Sequence, residues 1–497
     1  MTHTTPIGAL AMLAAVLWST GAEAVVLKPE RARLAILDLR FDDAADILRD
    51  DEDPALALER ARLGLYRGDC DAAVAALDRP DLEDDDELAY VEAIAKGCQR
   101  ATAGTFVVED KERGVWVRLQ DDADRVLVPY IAEVARDAVD VLEKDLGTRL
   151  PDPIRIDLVR DQFALAAHTG LPEEAAQTTG TVAIAKWGRV IMLSPRAPTH
   201  GYPWMDTLAH EITHLVISMA SRDRAPLWLQ EGVAKREETR WRAGLVFDNQ
   251  PSSDAMAWYG IQTGKALPLT GLGPSIAMLP SPEQAAIAYA EVASFIAYWV
   301  DQNGEQALKK LLAELRNSVS GDVSEAIESV SESSLADWDK RWRAHLAQAA
   351  PQMPADLDPR ANAAKGGEMA KKHRLAELLL GRGHARAAIT QLDEAVGLIP
   401  SDTRSRCLYS EALHRVGDDV SAAALVADPA DIRSPTGRWW SLHSFFLLED
   451  AIPKSLMHAI GTEPYARAVA CQELPWGERP ADPAMRALCD AAWKFRP

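Results

Sequence analysis

The stretch "LAHEITHLV", Leu208–Val216, sets two histidines four residues apart with a glutamate directly after the first. On an α-helix residues i and i+4 share a face, so His210 and His214 point the same way. At about 100° per residue from near Asp206, Leu208, Ile212, Leu215, Val216 and Met219 fall on one apolar face and the histidines fall roughly opposite. Two imidazoles so placed can hold one Zn²⁺ at about 2.0–2.1 Å, and Glu211 leans over the same edge. A bare H-E-x-x-H pattern arises by chance in roughly one or two per cent of chains this long, so it needs support from elsewhere. The stretch "PLWLQEGVAKREE", Pro226–Glu238, supplies it. Pro226 is placed to open a helix. The short connection Ser221–Ala225 makes the two helices antiparallel neighbours, with Glu231 projecting back toward the histidines. Gly232 removes a side chain where these helices come closest. Taken singly, each residue also fits a solvated helix surface, where a glutamate near a helix start is favourable.

His210-Glu211-Ile212-Thr213-His214, followed by Trp228-Leu229-Gln230-Glu231-Gly232-Val233-Ala234, resembles the gluzincin metallopeptidases, nearest to the small peptidase MA-like domains. The resemblance extends to "AYAEVASFIAYWV" (Ala288–Val300) and "LADWDKRWRAHL" (Leu335–Leu346), covering residues 105–350. It implies that His210, His214 and Glu231 bind one Zn²⁺ and that Glu211 is the catalytic base. Three protein ligands leave a fourth position for water, whose pKa zinc lowers to about 7. Glu211 then takes the water's proton and passes it to the leaving amine. Tyr289 resembles the tyrosine that some gluzincins place on a later helix to stabilise the oxyanion, although a core tyrosine fits the position equally. The strand edging the cleft in such enzymes pairs with the substrate backbone, and Gly180–Ala185 is the candidate here, or simply one arm of a hairpin. Two departures stand out. Many gluzincins carry an acidic residue four after the ligand glutamate to orient a histidine; here that position is Lys235, leaving Glu237 or Glu238 as substitutes. The interval from His214 to Glu231 is shorter than in the large aminopeptidases and no exopeptidase motif accompanies it, so an endopeptidase is implied.

The elements that must position these residues are mixed. "GVWVRL" (Gly114–Leu119) and "IRIDLV" (Ile154–Val159) alternate as half-buried strands do, and Val128–Gly147 between them has helical periodicity. "GTVAIA" and "RVIML", Gly180–Ala185 and Arg189–Leu193, flank Lys186-Trp187-Gly188 as a hairpin. Nearly everything beyond is helical. The fold class is therefore α+β: a gluzincin-like zinc peptidase domain, a small mixed sheet plus helices, between all-α tetratricopeptide-like regions. In residues 372–497 the signal is a period: "GRGHARAAITQL" (Gly381–Leu392) aligns with "RVGDDVSAAALV" (Arg415–Val426), Gly383 over Gly417 and Ala388 over Ala422, both at the 34-residue offset of that repeat. Residues 25–104 carry a weaker version in "DLRFDDAADIL" and "GLYRGDCDAAVAAL" (Asp38–Leu48, Gly64–Leu77). Stacked helix pairs form grooves that bind peptides or proteins, or serve only as packing around an enzyme. Residues 351–371, opening with the Pro- and Ala-rich "PQMPADLDPRANAAKGG", read as a linker.

The 497 residues exceed one compact core, as a prior of roughly 150 residues per domain requires. A net charge of -21 argues against nucleic acid as a partner, because phosphate backbones need a basic surface. Residues 1–24 read as an export signal, with the short apolar run Ala9–Trp18 and small residues at Ala22–Ala24, although the leading segment lacks Lys and Arg. No later stretch is apolar enough to span a bilayer, so no transmembrane segment is expected after signal removal, and an exported, periplasmic or secreted protein is expected. The five cysteines fit an oxidising compartment: Cys70 and Cys98 lie close in sequence, as do Cys471 and Cys489, with Cys407 left over. Together these features describe an exported zinc metallopeptidase acting on a peptide or protein substrate, with helical repeats for protein partners. The alternative is an envelope adaptor or assembly factor whose zinc domain is structural or inactive.

Overall fold

The computed structural model describes residues 27–49, 53–82, 85–171, 181–195, 197, 204–241, 251–269, 276, 279–353, 359–400 and 403–426. The expected export signal and Cys471 and Cys489 lie outside the described residues. The chain divides into two compact units, residues 1–92 and 93–497.

The first unit is helical: α1 (Lys28–Leu37), α2 (Phe41–Leu48), α3 (Ala57–Arg67), α4 (Cys70–Leu77) and the start of α5 (Asp86–Thr102). Helix α3 ends on Gly68 at φ +76, whose left-handed backbone lets Asp69 turn back, donate its N–H to Gly64 O at 2.8 Å and cap α4. Close packing of this hairpin needs Gly64, since a Cβ there would sit 2.8 Å from Ala73 N. Ala32, Ala35, Ile36, Ala44 and Leu48 form the core with Leu56 and Leu63. Cys70 is disulfide-bonded.

In the second unit a five-stranded sheet has the order β1-β2-β3-β5-β4, with β1 (Phe106–Asp110), β2 (Val115–Leu119), β3 (Ile154–Val159), β4 (Ala183–Lys186) and β5 (Arg189–Leu193). Strands β2, β3 and β5 run parallel, and the edge strands β1 and β4 are antiparallel to their neighbours. The crossover from β2 to β3 is α6 (Val128–Leu146), and α7 (Gln162–Thr169) follows β3. β1 is not apparent as a strand in the sequence. Phe106, Val107 and Val108 run together without alternation, and of its two faces one is half-buried and the other exposed, so no buried face marks it. β4 and β5 form the expected hairpin with a tighter turn: Lys186 pairs with Arg189, leaving Trp187 and Gly188 at φ +55 and +64, a two-residue loop of the primed type. A buried ion pair, Arg189 Nη1 to Asp157 Oδ2 at 2.5 Å, ties β5 to β3, and Arg118 on β2 reaches the other oxygen at 3.3 Å. Cys98, also disulfide-bonded, accepts from Arg189 Nη2 at 3.6 Å.

The long elements after the sheet are helices: α8 (Trp204–Ser221), α9 (Leu227–Glu237), α10 (Ser253–Thr263), α11 (Pro282–Asn303), α12 (Ala307–Asn317), α13 (Val323–Ser331) and α14 (Leu335–Ala349). α8 packs against α6, α9, α12, β4 and β5 at once. It is therefore buried on almost every side, with Ala209, Thr213 and Ile217 as enclosed as Leu208, Ile212 and Val216. A helix enclosed in this way loses the clean two-faced pattern assumed for a surface helix.

Beyond them lie α15 (Pro359–Gly381), α16 (Ala385–Leu398), α17 (Thr403–Arg415) and α18 (Asp419–Val426). α15 covers much of the segment read as a linker. Pro359 stands at the first position, where its missing N–H costs nothing, and the Ala- and Lys-rich run after it favours helix. The turns before α16 and α18 are built alike. Gly383 and Gly417 have φ +80 and +84, and the next residues, His384 and Asp418, donate to Leu379 O and Leu413 O at 2.8 and 3.0 Å. Ala388 and Ala422 are both fully buried, so the 34-residue offset joins positions with the same backbone shape and burial. No helix among the described residues is long and apolar enough to cross a membrane.

Candidate metal centre

The antiparallel pair α8 and α9 is set by a tight connection. Arg222 and Asp223 take left-handed backbone at φ +54 and +57, and Asp223 N–H returns to Ser218 O at 2.9 Å. Two arginines lock this corner onto α12. Arg224 Nη1 donates to the carbonyls of Leu315 and Arg316 at the end of α12, at 3.2 and 3.0 Å, and Arg316 Nη1 donates to Met219 O near the end of α8 at 2.6 Å. Helix C-termini carry partial negative charge and unpaired carbonyls, so each guanidinium meets a natural acceptor.

The corner brings His210, His214 and Glu231 together. Their ring Nε2 atoms are 3.2 Å apart, and Glu231 Oε2 lies 3.3 Å from His210 Nε2 and 3.5 Å from His214 Nε2. Ligands at 2.0–2.1 Å around a tetrahedral Zn²⁺ are separated by about 3.3 to 3.4 Å, so these three atoms form one face of such a tetrahedron. Glu231 Oε2 is also a buried oxygen that makes no hydrogen bond of good geometry, an expensive state unless a cation meets it. Two imidazoles and a carboxylate are the donor set Zn²⁺ prefers at sites with an open position. The residues fit the ion. Their side chains keep 12, 13 and 12% exposure for His210, His214 and Glu231, enough for solvent to reach the centre.

Charge is balanced inside the cluster. Burial would lower the pKa of His210, but its contacts with Glu231 and Glu238 win and hold it at about 10. Burial would raise Glu231, yet the charges of His214 and His210 keep it below the ordinary carboxylate range. Glu211 is buried and pushed up by desolvation, which His214 and His210 oppose. Its Oε2 accepts the backbone N–H of Ala185 at 2.6 Å. Val182 O pairs with Leu193 N at 2.8 Å, so along β4 residues 182, 184 and 186 face β5, while the N–H of Ala185 faces outward, toward α8. The expected substrate edge and the expected base thus touch.

Tyr289, on α11, belongs to the same electrostatic neighbourhood. Burial, then the charges of Glu231, Glu211 and Glu238, raise its phenol well above 10, so it remains an O–H donor at any physiological pH. Of the two candidates left open by Lys235, Glu238 is the one that faces His210. Its Oε2 lies 3.1 Å from His210 Nδ1 and its Oε1 accepts from Lys235 Nζ at 2.6 Å, whereas Glu237 turns the other way, to Arg236 and Arg240. The signal is spacing: 231, 235 and 238 fall on one helical stripe and 237 does not. Gly232 needs a correction. The surface it approaches is α11, where a Cβ would lie 2.7 Å from Val292 O, and not α8.

Residues 134–348 match the Peptidase MA superfamily, which supports a peptidase MA-like domain over that segment. Members of this family are typically metal-dependent. The match begins inside α6, after β1 and β2, and ends near the close of α14. No curated protein and no solved structure matches the chain.

Proposed function

We propose that the chain is an exported zinc metallopeptidase that hydrolyses internal peptide bonds, with helical repeats that recruit or restrict its protein substrates. The observation that carries this reading is the convergence of His210, His214 and Glu231 at 3.2–3.5 Å, with the Glu211 carboxylate one residue away. A purely structural metal site has no need of a carboxylate beside it. Zn²⁺ held by those three side chains supplies a lowered pKa for water and a polarised carbonyl. The rest is the work of this chain's own residues. Glu211, whose buried carboxyl is pushed up by desolvation, takes a proton and returns it to the leaving amine. Tyr289 donates its O–H to the oxygen on which charge develops. The outward edge of β4 receives an extended peptide by strand addition, in register with Glu211 through Ala185. Matching turns at Gly383 and Gly417 support a tetratricopeptide-like array in residues 359–426 as a protein-binding element.

The test compares zinc content and hydrolysis of casein and a peptide library for the wild type and Glu211→Gln. The variant is expected to keep its zinc and lose turnover. If both proteins carry zinc and neither cleaves any substrate, envelope proteins included, the adaptor reading replaces this one.

A further inference from the structure

We infer that Glu238 and Lys235 form a positioning pair: Glu238 orients His210 for the metal and at the same time keeps the Lys235 ammonium away from the ligand Glu231. This rests on the zinc reading above.

Three polar residues share one stripe of α9 and its C-terminal cap, Glu231, Lys235 and Glu238, at spacings of four and three. Residues so spaced lie within reach of one another. Lys235 stands one turn from a carboxylate whose task is to bind a cation, and an ammonium there competes for the same oxygen. It donates to Glu238, at 2.6 Å. The other oxygen of Glu238 faces His210 Nδ1 at 3.1 Å, while His210 Nε2 faces Glu231 and His214. The imidazole is thus held at both ring nitrogens. With Zn²⁺ on Nε2 the imidazole would be neutral, and its one proton would sit on Nδ1, donated to Glu238. The usual orienting acid, four residues after the ligand glutamate, is replaced by one seven residues after it, and the lysine in the vacated position is neutralised by its replacement.

The experiment measures the zinc dissociation constant by chelator competition for the wild type, Glu238→Gln, Lys235→Met and the double variant, with the metal-free thermal midpoint recorded for each. Glu238→Gln is expected to weaken zinc by about 10–100-fold, the usual effect of losing such a partner, while the metal-free protein stays folded. Lys235→Met alone is expected to do less. Adding Lys235→Met to Glu238→Gln is expected to recover part of the loss, because the released ammonium no longer competes. Affinity of Glu238→Gln within about twofold of wild type overturns the orienting role, and a double variant no tighter than Glu238→Gln overturns the role given to Lys235. Nitrogen-15 spectra of the zinc-loaded wild type decide the matter even if Glu238→Gln fails to fold: His210 should carry metal on Nε2 and a proton on Nδ1, and the reverse assignment sinks the proposal. None of these readouts uses peptide cleavage, so a zinc-binding protein that cleaves nothing removes the peptidase reading and leaves this one standing.

Discussion

Replacing Gly232 by alanine perturbs the metal centre from behind, through packing alone. The added Cβ would lie 2.6 Å from Ile296 Cγ1, 2.7 Å from Val292 O and 3.1 Å from Val292 C, all on α11. Ile296 can turn its side chain away, but Val292 O belongs to a helix backbone held by its own hydrogen-bond ladder. A contact this short with backbone forces a shift, so α9 and α11 must move apart by about a few tenths of an ångström or more. Such overpacking costs about 1–3 kcal/mol. The neighbouring residue is Glu231, and metal sites hold their ligand distances to within about 0.2 Å. A displacement of this size carried into Glu231 should weaken zinc by about tenfold or more, and it also alters the distance to Tyr289 on α11. Calorimetry without metal and zinc titration against a chelator measure the two effects separately. Gly366→Ala on α15, where a Cβ meets nothing within 4 Å, is the control and is expected to cost no stability. If Gly232→Ala melts with the wild type and binds zinc equally well, the close approach of α9 to α11 does not set the position of Glu231.

Glu291, buried on α11 and accepting from Leu267 N at 3.0 Å, has its pKa pushed up to about 7, chiefly by burial. The folded state therefore keeps a proton that the unfolded chain releases above its ordinary value of 4.5, so this group's contribution to stability falls as pH rises through 4.5 to 7. The loss is up to about 3 kcal/mol. Urea midpoints at pH 5 and pH 8 should show that slope reduced in Glu291→Gln; part of it should remain, because Glu237 is raised to about 7 in the same direction. An unchanged slope rejects the assignment. Ala185→Pro deletes the N–H given to Glu211 while removing no ladder hydrogen bond, so it should fold and bind zinc but lose about tenfold or more in peptide turnover. Chelation should lower the thermal midpoint of the wild type and not that of His210→Ala, with zinc at a hundred times its dissociation constant worth about 2.7 kcal/mol.

Much of the site is legible in the sequence because local spacing encodes it. The i,i+4 histidines and a short corner to a second helix place three side chains without any knowledge of the sheet. The hairpin at Trp187-Gly188 and the crossover helix Val128–Leu146 are equally plain, since each advertises its own period or turn. The features that escape a sequence reading depend on partners distant along the chain. Only tertiary packing shows that Gly232 faces α11, and only five surrounding elements explain why the histidine helix is enclosed on all but its half-buried histidine stripe. The segment from Pro359 reads as a linker because its proline and glycines outweigh its alanines and lysines, although a proline at the first position is where a helix accepts one.

Strand β4 is short, and its shortness limits what it can recognise. Of its four residues only Ala183 and Ala185 turn their peptide groups outward, and the amide of Ala185 already meets Glu211. At about 3.4 Å per residue, an incoming chain would be read by main-chain pairing over roughly 7 Å. A grip that narrow aligns a chain without discriminating among sequences, so selectivity in such an arrangement has to reside in how long and how close a client protein is kept, and not in what its scissile residues are.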